Sequence, residues 1–385
     1  MQANFHVSDD EVVATRRLNR KSKVLVVGPS LRFLGGQAVQ AKRLMESLRA
    51  DGDVEVDYLE VDPRFPAPLD RLQRIPIVRT LLTSAAYLST LLLRVWKYDT
   101  IHAFSASYWS FLLAPVPAIL VARLCGKRVL LNYHSGEADD HLTHWGWHAR
   151  PLIRLANLTV VPTAYLVDVF AQHELTAIAI PNHVAVPFAP SPRRALVVPR
   201  FFSNRNFESH YNVVAVIEAF AKVQREFPSA ELVVTGGGAL RASLENTVQE
   251  LGIRGCRFTG PVRPEEMIAL YNDADVYVNA SLIDNMPLSI LEAYSVGLPV
   301  VTSDAGGIPW IARDGETALV VPAGNGEALA VAMRNAIVHW EASLQRAERA
   351  RSFVTEMYAW PAVRQKWLHA YAAEDRSTAR VRGAE

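Results

Sequence analysis

Residues 281–324 read SLIDNMPLSILEAYSVGLPVVTSDAGGIPWIARDGETALVVPAG. Asp284 and Asn285 are residue types that cap helices, Pro287 fits a first turn where a missing N–H costs nothing, and Gly297 suits the left-handed position that ends a helix. This predicts a helix over Pro287–Val296, bracketed by β-branched strands at Asp275–Val278, Pro299–Thr302 and Ala318–Val321. Short strands separated by helices build parallel sheets, and such sheets bind ligands beyond the C-terminal ends of their strands. The helix start then presents free amides, from about Leu288 to Ile290, in a geometry that favours a phosphate. Glu292, one turn inward and acceptor-only when ionised, is placed to take two hydroxyl donors from a ribose or sugar. The same residues also make an ordinary capped helix, and the bare pattern leaves both readings open.

Outward from this segment the alternation continues in both directions. Lys23–Gly28, Val54–Leu59, Thr100–Phe104, Arg128–Tyr133, Leu158–Val161 and Ala177–Ile180 are strand candidates in the first half, with a helix expected over Gln37–Leu48. Pro181–Pro199 holds five prolines and little periodicity, the composition of a stiff connector between domains. A second series follows, with strands at Val197–Arg200, Leu232–Thr235 and Arg257–Thr259 and helices at Asn212–Phe227 and Leu240–Leu251. Glu327–Val354 and Trp360–Ala373 read as terminal helices. The expected organisation is a disordered leader over 1–20, a first domain over 21–185, a second domain over 186–355, a terminal helix over 356–375 and a frayed tail over 376–385. Two parallel-sheet domains joined by a proline-rich hinge predict a cleft between them.

The chain has 385 residues, with 40 Lys and Arg against 39 Asp and Glu, a net charge of +1. That balance argues against a nucleic-acid partner, because neutralising many phosphates takes a clear basic excess. Cys125 and Cys256 are the two cysteines, far apart and outside any CxxC, so a disulfide scaffold and a cysteine zinc site are both excluded. A reducing cytosol fits this usage. Residues 1–20 hold no apolar run and include Asp9, Asp10 and Glu11, unlike a secretory signal. Thr80–Leu93 and Tyr108–Ala122 lack charges, but Arg79, Arg94 and Arg123 keep them short of a membrane span, and Pro115 and Pro117 interrupt the second. They read as buried core helices or as a surface that also rests on a bilayer, which the basic leader Arg16–Lys23 would assist.

The segment around Glu292 resembles the donor-binding motif of retaining, GT-B-fold glycosyltransferases of glycosyltransferase family 4 (group 1). That motif has two acids eight positions apart, then LEA, a small residue and G-x-P-V. Here the second acid is Glu292 within Leu291-Glu292-Ala293, followed by Gly297, Pro299 and Val300, and the first acid is Asp284 in place of the usual Glu. The resemblance covers Lys23 to about Tyr371 and implies two Rossmann-like domains facing across a cleft. It implies that Glu292 binds the nucleotide ribose, while Asp284 and the adjacent backbone of Met286, Pro287, Leu288 and Ser289 hold the donor sugar and phosphates. Gly35-Gly36 resembles the family's glycine loop, where the diphosphate or acceptor approaches the backbone; it also reads as a plain tight turn. The loop Gly28–Gly36 lacks G-x-G-x-x-G spacing, so no nicotinamide or flavin fingerprint is present.

By the same resemblance His134, just after a strand, contacts the donor sugar. Arg205 stands where the family places an arginine on the diphosphate, but His210 or Tyr211 occupies the position of its usual lysine. Gly237 within Gly236–Gly238 resembles the glycine turn beneath the nucleotide, Val262 within FTGPVR the segment that reads the base edge, and Gly306-Gly307-Ile308-Pro309 the closing loop. His141, His144 and His148 lie near Asp139 and Asp140, but without H-E-x-x-H spacing, and the family works without a bound metal. The implied activity is retaining transfer of a hexosyl group from a nucleoside diphosphate sugar, UDP or GDP, to a hydroxyl of a glycan, lipid or small molecule. No separate cofactor is implied, and the expected location is the cytoplasm, with or without the inner membrane face. A hydrolase or epimerase on the same fold and a silent sugar-nucleotide-binding module are the alternatives, the second motivated by Asp284 and the absent lysine.

Overall fold

A computed structural model describes residues 21–30, 36–65, 75–184, 196 and 198–372. The expected leader, Gly35, most of the Pro181–Pro199 connector and the expected tail lie outside the described residues. Twelve strands are found among those described: β1 (Ser22–Gly28), β2 (Val54–Glu60), β3 (Thr100–Ser105), β4 (Arg128–Tyr133), β5 (Leu158–Val161), β6 (Ile178–Ala179), β7 (Arg200–Asn204), β8 (Glu231–Thr235), β9 (Cys256–Gly260), β10 (Val276–Asn279), β11 (Val300–Ser303) and β12 (Leu319–Val321). They form two six-stranded sheets, ordered β2-β1-β3-β4-β5-β6 and β12-β11-β10-β7-β8-β9. β1 pairs in parallel with β2 and β3, and every neighbouring pair of the second sheet is parallel.

The strand sequences match their places. Val24–Val27 in β1 is wholly buried, as a central parallel strand covered on both faces must be. β2 lies at the edge and alternates buried and exposed positions over Val54–Asp57. In the second sheet the two faces divide by alternation. Phe201, Val276 and Val278 pack with the helices Val213–Glu226 and Gly326–Val338, while Phe202 and Tyr277 pack with Leu288–Ser295 and Trp340–Tyr358.

The chain divides into two compact units, Met1–Asn132 with Pro151–Thr159 and Leu368–Glu385, and Tyr133–Arg150 with Val160–Trp367. In the first, Tyr371 lies 2.8 Å from the buried His102 ring and its carbonyl accepts from Arg128 at 2.9 Å. In the second, the Val184 amide donates to the Tyr358 carbonyl at 3.0 Å and the His183 ring packs on Trp360.

Several expectations need correction. The first strand of the second series is Arg200–Asn204 rather than Val197–Arg200: its ladder starts at Arg200 opposite Glu231, beyond Pro199, and buries Phe201 and Phe202. The expected helix over Glu327–Val354 is two helices, Gly326–Val338 and Trp340–Tyr358, broken at His339. The apolar run Tyr108–Ala122 is also two helices, Tyr108–Leu113 and Pro115–Leu124, the second opened by Pro115 and buried along Val116, Ile119 and Ala122. Thr80–Leu93 is not a buried core helix throughout, since Leu81, Leu88, Leu92 and Leu93 are exposed. Among the described residues no helix is long and apolar enough to cross a membrane.

Candidate functional site

The second sheet has the doubly wound order in which the winding reverses between β7 and β10, and ligands of such sheets bind beyond the strand ends at that reversal. Arg205 directly follows β7, and Ser281–Asn285 follows β10. The Arg205 guanidinium donates through one amino group to the Asp284 carboxylate and through the other to Ser289 Oγ at 3.4 Å. Its central carbon lies 4.0 Å from the centre of the Tyr211 ring, a cation–π contact. Both charged side chains are nearly enclosed, 12% and 11% exposed. Burial opposes the charge on Arg205, but Asp284 and then the surrounding tyrosines outweigh it and raise its pKa.

Glycine lets the chain fold around this pair. The Asp284 carbonyl accepts from the Gly307 amide at 3.0 Å, and a Cβ on Gly306 or Gly307 would come within 2.1 Å of the Asp284 or Asn285 carbonyl oxygen. Gly236 and Gly238, with φ of 144° and 149°, lie against the Arg205 and Phe207 carbonyls in the same way. The Phe207 amide donates to the Gly237 carbonyl at 2.8 Å.

Neither Asp284 nor Asn285 caps the following helix, contrary to expectation. Leu288–Ser295 starts after Pro287, and no side chain caps it. Asp284 Oδ1 instead accepts from the Asn285 amide at 2.9 Å, and Asn285 Oδ1 accepts from Thr163 Oγ1 at 2.7 Å. The helix is held by its buried face of Ile290, Leu291, Ala293 and Tyr294 and closed by Gly297 at φ 67°. Of its first-turn amides, that of Ile290 donates to the Pro287 carbonyl at 3.1 Å, and those of Leu288 and Ser289 have no acceptor within the helix.

Glu292, one turn in, is partly exposed, and its Oε2 accepts from Tyr271 Oη at 3.1 Å. Tyr271 Oη also lies 3.1 Å from the Ser289 carbonyl and accepts from Asn204 Nδ2 at 2.9 Å. This phenol is buried, and desolvation followed by the nearby Glu292 charge holds its pKa well above the ordinary value. Arg205, Asp284, Ser289 and Glu292 thus belong to one connected group with Tyr271, Tyr211 and Asn204. The last three were missed in the sequence. Tyr211 had a signal, standing where a lysine was expected; Tyr271 and Asn204 had none.

The other expected residues fall as follows. Met286 and Pro287 are buried, and Leu288 and Val262 are partly exposed. Arg263, next to Val262, closes a capping box with Glu266. His134 follows β4; burial lowers its pKa to about 4, so the ring is neutral at pH 7. Gly136, two residues on, lies against Ile283 and Asp284, which brings the His134 loop beside the Asp284 loop. His210 contributes its carbonyl, which accepts from Leu282 at 2.8 Å. Gly36 begins the helix Gly36–Asp51 in the other unit, where an added Cβ would meet nothing within 4 Å among the described residues.

The histidines after β4 have separate partners. His141 Nδ1 lies 2.7 Å from Tyr133 Oη, His144 Nδ1 3.0 Å from the Asp140 carbonyl, and His148 Nδ1 3.1 Å from that of Trp145. Asp139 accepts from His173 at 2.8 Å.

Residues 196–353 match the family of glycosyl transferases group 1. Over 300 residues the chain is 25% identical to a glycogen synthase of Mycobacterium tuberculosis, covering 74% of this chain and 70% of that protein. Over 325 residues it is 27% identical to a sulfoquinovosyl transferase of Arabidopsis thaliana, covering 78% of this chain and 61% of the relative's length. In fold it is similar to a sucrose-phosphate synthase from Thermosynechococcus elongatus, with a TM-score of 0.72 at 20% identity over 91% of this chain and 98% of that one. It is also similar to Anabaena HepE solved with UDP and glucose, with a TM-score of 0.70 at 17% identity over 92% and 100%. The two parallel α/β sheets have the GT-B fold.

Proposed function

We infer that this chain is a group 1 glycosyltransferase that moves a hexosyl group from a nucleoside diphosphate sugar to an acceptor hydroxyl with retention of anomeric configuration. The observation that carries this reading is the convergence of Arg205, the start of the helix Leu288–Ser295 and Glu292 at the reversal point of the second sheet. A cation, uncapped amides and a carboxylate one turn inward match the diphosphate and hydroxyls of a nucleotide sugar. The HepE structure with UDP and glucose supports a UDP-sugar as the first donor to test.

In this reading Arg205 and the amides of Leu288 and Ser289 take the diphosphate. Glu292 accepts from the ribose hydroxyls, and Gly237 and Val262 border the nucleotide. An arriving diphosphate competes with Asp284 for the Arg205 guanidinium and frees that carboxylate for hydroxyls of the donor sugar. Tyr211, stacked on Arg205, keeps the guanidinium in place where relatives use a second cation. His134, neutral at pH 7, exchanges hydrogen bonds with the sugar without adding charge.

The bond from the anomeric carbon to the leaving phosphate oxygen breaks as the acceptor oxygen bonds to that carbon on the same face. The acceptor proton passes to the leaving phosphate, giving a nucleoside diphosphate and a glycoside. Charge on the leaving group is met by Arg205 and the helix amides, with no metal required.

A thermal-shift panel of UDP-, GDP- and ADP-sugars tests the reading, since a ligand that binds the native state raises apparent stability. One donor class is expected to raise the melting temperature, and Glu292→Gln, which keeps the shape, to weaken that donor at least tenfold, about 1.4 kcal/mol. No shift with any sugar nucleotide, or unchanged affinity in Glu292→Gln, overturns it. Binding without transfer to any acceptor would favour the silent module, for which the pairing of Arg205 with Asp284 is the specific observation.

A further inference from the structure

The helix Pro76–Arg94 turns an apolar face outward. Ile77, Leu81, Leu88 and Leu92 are 74%, 66%, 40% and 47% exposed, and their spacing of four, seven and four residues sets them on one stripe. At 1.5 Å per residue the stripe is about 22 Å long. The flank beside the stripe, with Tyr87 and Leu91, is buried. The apolar sector of this helix is therefore wider than its neighbours cover, and its outer part stays exposed. At the end of the stripe Leu93 and Trp96 are exposed, and Lys127 Nζ reaches the Trp96 carbonyl at 3.2 Å, which brings the exposed Leu124 into the same region.

The charge around this surface is one-sided. Between Ile75 and Gly136 the sequence has six bases, Arg79, Arg94, Lys97, Arg123, Lys127 and Arg128, against one acid, Asp99. The whole chain is balanced at +1, so this stretch carries an excess found nowhere in the total. Arg94 and Arg128 are engaged internally, with Asp57 and with the Tyr371 carbonyl. Arg79, Lys97 and Arg123 are exposed. A second copy of the chain docked by a twofold would set these like charges against each other. An uncharged apolar stripe with basic ends and a tryptophan at its edge matches a bilayer that carries anionic lipid.

We propose that this face docks on a membrane surface containing anionic lipid, with the helix Pro76–Arg94 lying in the interface. The inference is independent of the sugar-transfer reading. Co-sedimentation with vesicles of phosphatidylcholine alone, or with about a third phosphatidylglycerol, tests it. The wild-type chain is expected to pellet with the anionic vesicles, and less so as salt rises. Leu81→Glu/Leu88→Glu/Leu92→Glu is expected to lower that partitioning at least tenfold at an unchanged melting temperature, because all three side chains are exposed. Lys97→Gln/Arg123→Gln/Lys127→Gln is expected to lower it less and to remove most of its salt dependence. As a readout on the wild-type surface, a blue shift of tryptophan emission on vesicle addition should disappear in Trp96→Phe. Failure of the wild-type chain to pellet with anionic vesicles overturns the proposal. Equal pelleting of the leucine variant also overturns it, as does a solution dimer that the leucine variant dissolves.

Discussion

An added methyl group at Gly306 or Gly307 would strike a backbone oxygen at 2.1 Å, whereas one at Gly36 would meet nothing within 4 Å among the described residues. Both glycine pairs follow strands and both belong to recognisable motifs, yet they differ in kind. Gly306 and Gly307 are dictated from inside: they let one loop press on the carbonyls of Asp284 and Asn285, and Gly236 and Gly238 do the same for the loop carrying Arg205. Among the described residues, nothing packed around Gly36 requires glycine. A glycine motif is therefore evidence for a ligand only after its internal contacts have been counted.

The largest expected effect lies on the internally dictated side. Arg205→Met leaves Asp284 as an enclosed, unpaired carboxylate and should cost about 4 kcal/mol of stability. Denaturant unfolding checks this, and Arg205→Met/Asp284→Asn should recover much of the loss. If Arg205→Met unfolds at the wild-type denaturant concentration, the pair is not holding the loops.

Next comes Gly306→Ala, expected to cost roughly 3 kcal/mol, because a side chain at φ 53° is strained and the Asp284 loop must move. A melting curve indistinguishable from wild type would erase the contrast with Gly36.

Acid gives a smaller, graded effect on the unit that contains these loops. His134 and His141 are both lowered by burial from 6.5 to about 4, so the unfolded chain binds more protons between those values. Their contribution is full above pH 6.5 and is lost as pH falls toward 4, about 2 kcal/mol for each by pH 5. Hydrogen exchange at pH 5 should therefore accelerate in Tyr133–Arg150 before it does in β1 and β3. The smallest stability effect is Gly36→Ala, within about 0.5 kcal/mol, accompanied by weaker substrate affinity in titration. A large stability loss there would show that the open turn is internally constrained after all.

Much of the fold was legible because its signals are local. β4 and β5 were read to the residue from short apolar runs, and the helix after Asp284 was found from Pro287 and Gly297. Errors arose where local signals conflicted. Pro199 hid the true start of β7, and a continuous helical pattern hid the break at His339. In the site, Glu292 and Arg205 were readable through their motif. Tyr271 was not, because a tyrosine in a helix gives no hint that its hydroxyl will meet a carboxylate 21 positions away.

By itself, then, the sequence determined the alternating parallel α/β pattern, the position of the short helix with its carboxylate, and the one-sided charge of residues 75–136. Periodicity, capping chemistry and net charge are carried by residues near one another in the chain. The strand order was decided only in three dimensions. That order places the end of β7 beside the end of β10 and so joins Arg205 to Asp284, 79 positions apart. It was also tertiary packing that buried Tyr87 and Leu91 and left Leu81, Leu88 and Leu92 outside, because the neighbours of a helix choose which part of a broad apolar sector is covered.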